Sequence, residues 1–457
     1  MRFGKIKKLH FVGIGGIGMS GIAEMLHNEG FIITGSDLVA TEVTDHLVDL
    51  GIKISFEHKA EQVGDAHAVV ISSAVKENNP EVIAANQSKI PVIRRAEMLG
   101  ELMRTKFGVG IAGTHGKTTT TSIVGYVLTE GGFDPTVIVG GRVQQYGTNV
   151  KFGTGECLVA EADEYDRSFL NLTHSMAVIT SLEPDHLDYY GTFKAIKEAF
   201  VEFANKVPFY GNVFLNMDDE NVVSLIPELK RPIVTFGLTT QADVRISAPS
   251  YETCSSTFTV HHNGDTLGEA TINLPGLFNI RNALAAIAVA LEFEMPWEKI
   301  RKALGSFKGV IRRFEIKGEV DGITVIDDYA HHPTEIEVTL RAAKVGYQRP
   351  IVSIFQPHLY SRTRDFYREF AKALLLSDML IVTRIYAARE EPIEGVSGEM
   401  IVEAARDFGH RNCHYIDDMH AIPKLICKSR ISNAMVMTIG AGDIYHIGPE
   451  ILEALKK

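Results

Sequence analysis

The sequence predicts an α/β protein of three domains built on mostly parallel sheets. Three observations predict it. Short apolar runs alternate with amphipathic stretches from end to end, the pattern of repeated β-α units. The pattern restarts twice, near residue 107 and after Phe314. Two glycine-rich loops each follow an apolar run and open a helical stretch. In the first domain, residues 8–12 read as a strand, 17–29 as a helix, 31–35 and 68–72 as further strands. The second start has a strand at 108–112, a helix at 117–128 and strands at 157–161 and 176–180. Residues 242–273 alternate Thr, Ser and Val without helical periodicity, which predicts a small antiparallel patch. An alanine-rich helix follows at 279–293. Strands at 324–326, 351–355, 379–383 and 434–439 make up the third sheet. The domains are therefore read as 1–103, 104–311 and 312–457.

Composition narrows the function before any motif does. With 457 residues, 45% hydrophobic and 23% charged, the chain has material for several buried cores. It contains no run of 18 apolar residues, so no membrane-spanning helix is expected. The N-terminal stretch is broken by glycines after Phe11 and does not resemble a secretory leader. Cys157, Cys254, Cys413 and Cys427 are scattered, which fits a reducing cytoplasm rather than a disulfide framework or a zinc ribbon. A net charge of −11 offers no general attraction to nucleic acid or to a membrane surface. An anionic substrate must then be met by local basic groups and helix N-termini.

Residues 13–18, Gly-Ile-Gly-Gly-Ile-Gly, satisfy G-x-G-x-x-G between a strand and a helix. Gly15, Gly16 and Gly18, with Ile17, let backbone N–H groups approach a diphosphate at a helix N-terminus. Asp37 lies 19 residues beyond Gly18 at the end of the second strand, where a ribose-binding carboxylate belongs. This is a Rossmann-like arrangement, and these residues alone leave the nucleotide open. A turn that only packs is the bland alternative.

The strongest signal is Gly113-Thr114-His115-Gly116-Lys117-Thr118-Thr119, again between a strand and a helix. Backbone amides and the Lys117 ammonium suit β- and γ-phosphates, and the Thr118 hydroxyl suits Mg²⁺, so the central domain is P-loop ATPase-like. The spacing departs from G-x-x-x-x-G-K-[ST], because Ile111 stands where the first glycine should be. Glu161, ending the strand at 157–161, is the candidate carboxylate for the metal. For Asp163 and Glu164 after it, solvated or capping carboxylates are the bland reading. His186, in Glu183-Pro184-Asp185-His186 after the next strand, is a candidate metal ligand or proton handler, though a lone loop histidine is more often surface. Asp188 reads as solvated.

Farther along, Asn279 and Asn282 share one face at a helix start, and Asn279 alone would serve as a cap. Arg312 and Arg313 sit at the second boundary. Asp327 to Pro333 and Phe355 to Arg364 each follow a strand of the third sheet, so they should meet at its carboxyl edge. Arg362 or Arg364 would clamp a carboxylate. His331, His332 and His358 cluster there without the spacing that a metal demands, and read as hydrogen-bonding groups.

Taken together, these motifs resemble the Mur ligases, the ATP-dependent amide-bond formers of peptidoglycan precursor synthesis. The resemblance covers essentially the whole chain in the family's order: GIGGIGMSG at 13–21, GTHGKTTTT at 113–121, AEADEYDRSF at 160–169, EPDHLDYYG at 183–191, Asn279 and Asn282, RRF at 312–314, DDYAHHPTE at 327–335, FQPHLYSRTRDF at 355–366 and GAGDI at 440–444. The short phosphate loop is the family's own form. Within the family the match is to the branch that joins L-alanine to UDP-N-acetylmuramate. The resemblance implies a cytoplasmic bacterial enzyme that acts as a monomer or weak homodimer.

It also implies roles. UDP would lie on Gly15, Gly16, Ile17 and Gly18, with Asp37 and Ser73 nearby. ATP would bind Gly113, Thr114, His115, Gly116, Lys117, Thr118 and Thr119. Lys117, Glu161 and His186 would be catalytic, with Thr118 and Glu161 at one Mg²⁺ and His186 beside a second. Asn279 and Asn282 would contact adenine, Arg313 the phosphates, and Asp328 of a closing third domain the ribose. Tyr329, His331, His358 and Arg362 would receive the amino acid. Sister branches carry a carbamylated lysine in the region of Lys194 and Lys197, which the alanine-adding branch is not expected to use. Arg389 departs from a glycine frequent in that branch and puts the loop's shape in question.

Three other functions compete. A dehydrogenase would rest on Gly13 to Gly18 and Asp37 alone, and the second glycine loop speaks against it. A nucleotide-binding protein without catalysis would keep Lys117 but has no use for Glu161 with His186. The recycling ligase, which attaches a whole tripeptide to the same sugar nucleotide, usually lacks the GIGGIGMSG form.

Overall fold

The structure, a computed structural model, describes residues 3–456 apart from 73, 142, 145, 147, 148, 389 and 430. Ser73 and Arg389, both singled out above, lie outside the described residues. Three separate sheets follow one another along the chain.

The first holds β1 (Lys8–Val12), β2 (Ile32–Ser36), β3 (Lys53–Ser55), β4 (Ala68–Ile71) and β5 (Val92–Arg94), in the order β3-β2-β1-β4-β5. Every pair in it is parallel. The order reverses at β1, and the glycine loop 13–18 leaves from that switch point. Side chains alternate across the sheet: Leu9, Phe11 and Ile33 enter the large core of this unit, while Val12 and Val69 join a smaller one with Val63, Ala66 and Ala85.

The central sheet has ten strands: β6 (Phe107–Ala112), β7 (Thr136–Ile138), β8 (Val150–Lys151), β9 (Cys157–Glu161), β10 (Met176–Ile179), β11 (Val213–Asn216), β12 (Ile233–Gly237), β13 (Val244–Glu252), β14 (Ser255–His262) and β15 (Asp265–Ile272). Their order is β15-β14-β13-β12-β11-β10-β6-β9-β7-β8. The strands from β7 to β12 are parallel around β6, which is buried on both faces, and β8 pairs antiparallel to β7. Two-residue connections at 253–254 and 263–264 force β13, β14 and β15 into an antiparallel meander, as the Thr/Ser/Val alternation predicts. The helix Lys117–Gly131 springs from β6, so the second glycine loop also leaves a switch point.

The third sheet runs β16-β17-β21-β18-β19-β20, with β16 (Glu315–Val320), β17 (Ile323–Asp328), β18 (Ile351–Phe355), β19 (Met379–Val382), β20 (Cys413–Tyr415) and β21 (Met435–Ile439). Only the β16 edge is antiparallel. By packing, the chain divides into two compact units. One is Met1–Ser247 with Val260–Gly268 and Arg281–Leu304, and the other is Ala248–Thr259 with Glu269–Ile280 and Gly305–Lys457. All four cysteines are free thiols, and among the described residues no helix is long and apolar enough to cross a membrane.

Candidate functional site

The first loop is hung on the end of β2. The backbone N–H groups of Gly13 and Ile14 both donate to the Ser36 carbonyl, at 2.8 and 3.0 Å. The Asp37 carboxylate stands beside the loop, as its spacing predicts, and accepts from Gly15 N–H at 2.8 Å and from Leu38 N–H at 2.8 Å. A β-carbon at Gly15 would come within 2.9 Å of Asp37 Oδ2, so only glycine allows this approach. Gly16 is the extended residue before the helix Ile17–Asn28. Sequence reasoning missed Arg95. Its guanidinium lies over Gly18, where a β-carbon would be 2.9 Å from Nη1. The only signal was a basic residue just after the short strand β5.

The second loop builds a denser site. Gly113 and Gly116 take φ of +138° and +82°, and the helix Lys117–Gly131 begins directly after. The loop is tied to the segment after β10: Thr114 N–H donates to Ser181 O at 3.1 Å, His115 N–H to Ser181 Oγ at 2.9 Å, and Glu183 N–H to Thr114 Oγ1 at 2.9 Å. His115 Nε2 is 3.4 Å from a Glu183 carboxylate oxygen. Lys117 Nζ turns back over the loop, donating to Gly113 O at 2.7 Å and to the Glu164 carboxylate at 2.9 Å. Burial opposes the ammonium charge, but Glu164, Asp163 and Glu161 outweigh it and raise the Lys117 pKa. Burial also raises the Glu164 carboxyl against the pull of Lys117. Glu164, for which a solvated or capping carboxylate is the bland reading, is the buried partner of Lys117, brought there because β9 lies next to β6.

Thr118 Oγ1 lies 3.1 Å from both oxygens of Glu161, and Gly140 N–H donates to the same carboxylate at 2.7 Å. A hydroxyl and a carboxylate at one point are the hard oxygen donors that suit Mg²⁺. Thr119 is buried in the first turn of the helix. His186 is in the left-handed conformation, φ +53°, with its ring 5.1 Å from that of Tyr165 and Nε2 3.6 Å from Asp185. Tyr190, four residues on, donates its hydroxyl to Glu164 O at 2.6 Å, so the segments carrying His186 and Glu164 are pinned together.

Asn279 and Asn282 lie on the helix Leu277–Glu292. Asn279 is inside that helix rather than capping it, and its amide donates to Pro275 O at 2.8 Å. Asn282 Oδ1 accepts from Thr120 Oγ1 at 3.1 Å, which places it under the phosphate loop.

The two polar clusters of the third sheet do meet at its carboxyl edge. The His331 and His358 rings are 6.0 Å apart, and His358 stacks on Tyr386 at 5.7 Å. Burial lowers His331 to about 4, leaving it neutral. Arg362 buries Nη1 with no hydrogen-bond partner, an unanswered donor whose charge helps to lower His331. Arg364 instead pairs with Asp365 at 2.7 Å on the surface. Asp328 is buried. Its oxygens accept from the N–H groups of Phe314 and Ala330, both at 2.8 Å, and burial raises it to about 6. Tyr329 is a platform for the guanidinium groups of Arg312 and Arg313, at 4.9 and 5.2 Å.

Known proteins match the chain along nearly its full length. Residues 8–107 match the catalytic domain of the Mur ligase family, 111–290 the Mur ligase middle domain, and 312–442 the glutamate ligase domain of Mur ligases. A UDP-N-acetylmuramate–L-alanine ligase of Salinibacter ruber is 52% identical over 99% of this chain and 96% of its own length. One from Geobacter sulfurreducens is 50% identical over 100% and 99%. The crystal structure of the UDP-N-acetylmuramate–alanine ligase of Thermotoga maritima superposes with a TM-score of 0.83 at 32% identity, covering 98% and 99% of the two chains. Matched from end to end in one order, by sequence and by structure alike, the chain belongs to the Mur ligase family.

Proposed function

We propose that this protein joins L-alanine to the lactyl carboxylate of UDP-N-acetylmuramate, driven by ATP, in the synthesis of peptidoglycan precursors. The alanine ligases half identical to it support the choice of substrates. The observation that carries the chemistry is the convergence of Lys117, Thr118 and Glu161 on one glycine loop at a switch point of the central sheet.

A carboxylate is a poor electrophile and must be activated. A lactyl carboxylate oxygen attacks the γ-phosphorus of ATP, and the bond to ADP breaks, leaving an acyl phosphate. The Lys117 ammonium, kept charged by its carboxylate neighbours, stabilises the phosphoryl oxygens as charge moves. Thr118 and Glu161 would hold a Mg²⁺, with a second beside His186, and such ions would supply further neutralisation of that charge. Alanine's neutral amine then attacks the acyl carbon, phosphate leaves with the original carboxylate oxygen, and the nitrogen gives up a proton. We assign that proton to His186 or a neighbouring carboxylate.

The other assignments are of the same standing. Gly15, Gly16, Ile17, Gly18, Asp37 and Ser73 serve the UDP-sugar. Gly113, Thr114, His115, Gly116 and Thr119 join Lys117 and Thr118 on ATP, with Asn279 and Asn282 at adenine, Arg313 at the phosphates and Asp328 at the ribose. Tyr329, His331, His358 and Arg362 receive L-alanine. The unanswered Nη1 of Arg362 supports a carboxylate there. We place the enzyme in the bacterial cytoplasm, as a monomer or weak homodimer of three domains cut near 103 and 312.

The test is isotopic. With ¹⁸O in the lactyl carboxylate, one label must appear in the released phosphate. Unlabelled phosphate would exclude the acyl phosphate.

A further inference from the structure

Beneath the first glycine loop lies a charged cluster that the reaction chemistry does not use. Glu81, in the helix Pro80–Gln87, is fully buried. Its Oε1 is 3.1 Å from His10 Nε2, and its Oε2 is 2.7 Å from Ser36 Oγ and 2.8 Å from His58 Nδ1. His10 is buried too, and its Nδ1 meets Thr34 Oγ1 at 2.8 Å. One carboxylate thus ties together β1, β2, the segment after β3 and the helix that follows β4.

Nothing in the packing explains this. The helix that carries Glu81 also carries Ala85, which packs in a small apolar core with Val12, Val63, Ala66 and Val69. Burying a carboxylate is costly, and a well-packed apolar replacement is often as stable or more so. The cluster has a positional consequence instead. Ser36, gripped by Glu81 through its hydroxyl, presents the carbonyl that accepts both Gly13 and Ile14 N–H, and Asp37, which accepts from Gly15, is the next residue. Burial works against the Glu81 charge, and the hydrogen bonds from His10, Ser36 and His58 overcome it, so the carboxyl stays below its ordinary range.

We propose that Glu81, with His10 and His58, is a positioning group that sets the diphosphate-binding loop through Ser36 and so determines affinity for the sugar nucleotide. The proposal rests on the reading of that loop as the UDP site. Glu81 acts through Ser36 and the loop, leaving the ATP site untouched.

Steady-state kinetics and calorimetric UDP binding on the full-length protein test it, with Glu81→Gln, which keeps shape and removes charge, and Ser36→Ala, which keeps the backbone and removes the gripped hydroxyl. Thermal melts establish that each variant is folded. KM for UDP-N-acetylmuramate and Kd for UDP should rise about tenfold in both, with kcat and KM for ATP within twofold. If Glu81→Gln does not fold, Ser36→Ala carries the test alone. Folded variants that bind UDP as the parent does would overturn the proposal, as would a fall in kcat without a change in KM. A parent protein that binds no UDP would instead remove the underlying reading of the loop.

Discussion

Lys117 Nζ and the Glu164 carboxylate lie 2.9 Å apart in a buried ion pair that also touches the phosphate loop's own carbonyl at Gly113. The pair keeps a desolvated ammonium charged where phosphoryl oxygens would arrive. Lys117→Ala should lower kcat by about a thousandfold, the loss expected for one electrostatic donor at a transition state. Because burial already raises the Glu164 carboxyl, that group takes up a proton when Lys117 is lost, and the variant should fold. Kinetics alongside a thermal melt check both halves, and an unfolded variant would contradict the second.

Gly113 is irreplaceable on two counts. Its φ of +138° is open to glycine, and a β-carbon would sit 2.1 Å from Thr180 Oγ1 and 2.9 Å from Ser181 N. Gly113→Ala should cost about 3 kcal/mol of stability and abolish ATP turnover, read by denaturant unfolding and phosphate release.

Arg362 offers a planar fork to a carboxylate. Arg362→Lys keeps charge but not geometry, so KM for L-alanine should rise at least tenfold while KM for ATP and for the sugar nucleotide stay within twofold. Equal rises in all three would place Arg362 elsewhere.

Two groups at the carboxyl edge of the third sheet respond oppositely to acid. His331, lowered to about 4, refuses a proton that the unfolded chain accepts below about 6.5. It therefore costs stability as pH falls from 6.5 to 4, on the order of 2–3 kcal/mol with a quarter of the side chain exposed. Asp328, raised to about 6, holds a proton that the unfolded chain releases above about 4, so its stabilising contribution is lost as pH rises from 4 to 6. On acidification His331→Asn should lose less stability than the parent, and Asp328→Asn more. Urea melts between pH 4 and 7 measure the difference.

What was legible depended on range along the chain. The strands at 8–12, 157–161 and 351–355 stand as expected, because each is a short apolar run ended by glycine or a polar residue. β5, β11 and β12 went unassigned: three to five residues without a flanking motif leave little pattern to see. The antiparallel edge β16 was hidden because Glu315–Val320 is half polar and has no fully buried residue. Both glycine loops and Glu161 were visible because glycine, lysine and threonine are packed within a few residues. The pairing of Glu164 with Lys117 and the places of Arg95 and Glu81 were not legible, for a common reason. Their partners are 47, 77 and 71 residues away, reached only through strand order.

The most direct measurement of the central claim is phosphate release from ATP, with UDP-N-acetylmuramate present and L-alanine or the cell-wall tripeptide offered as acceptor. Release that requires both the sugar nucleotide and L-alanine, and that disappears with Lys117→Ala, is the predicted result. Release with the tripeptide but not with L-alanine would contradict it.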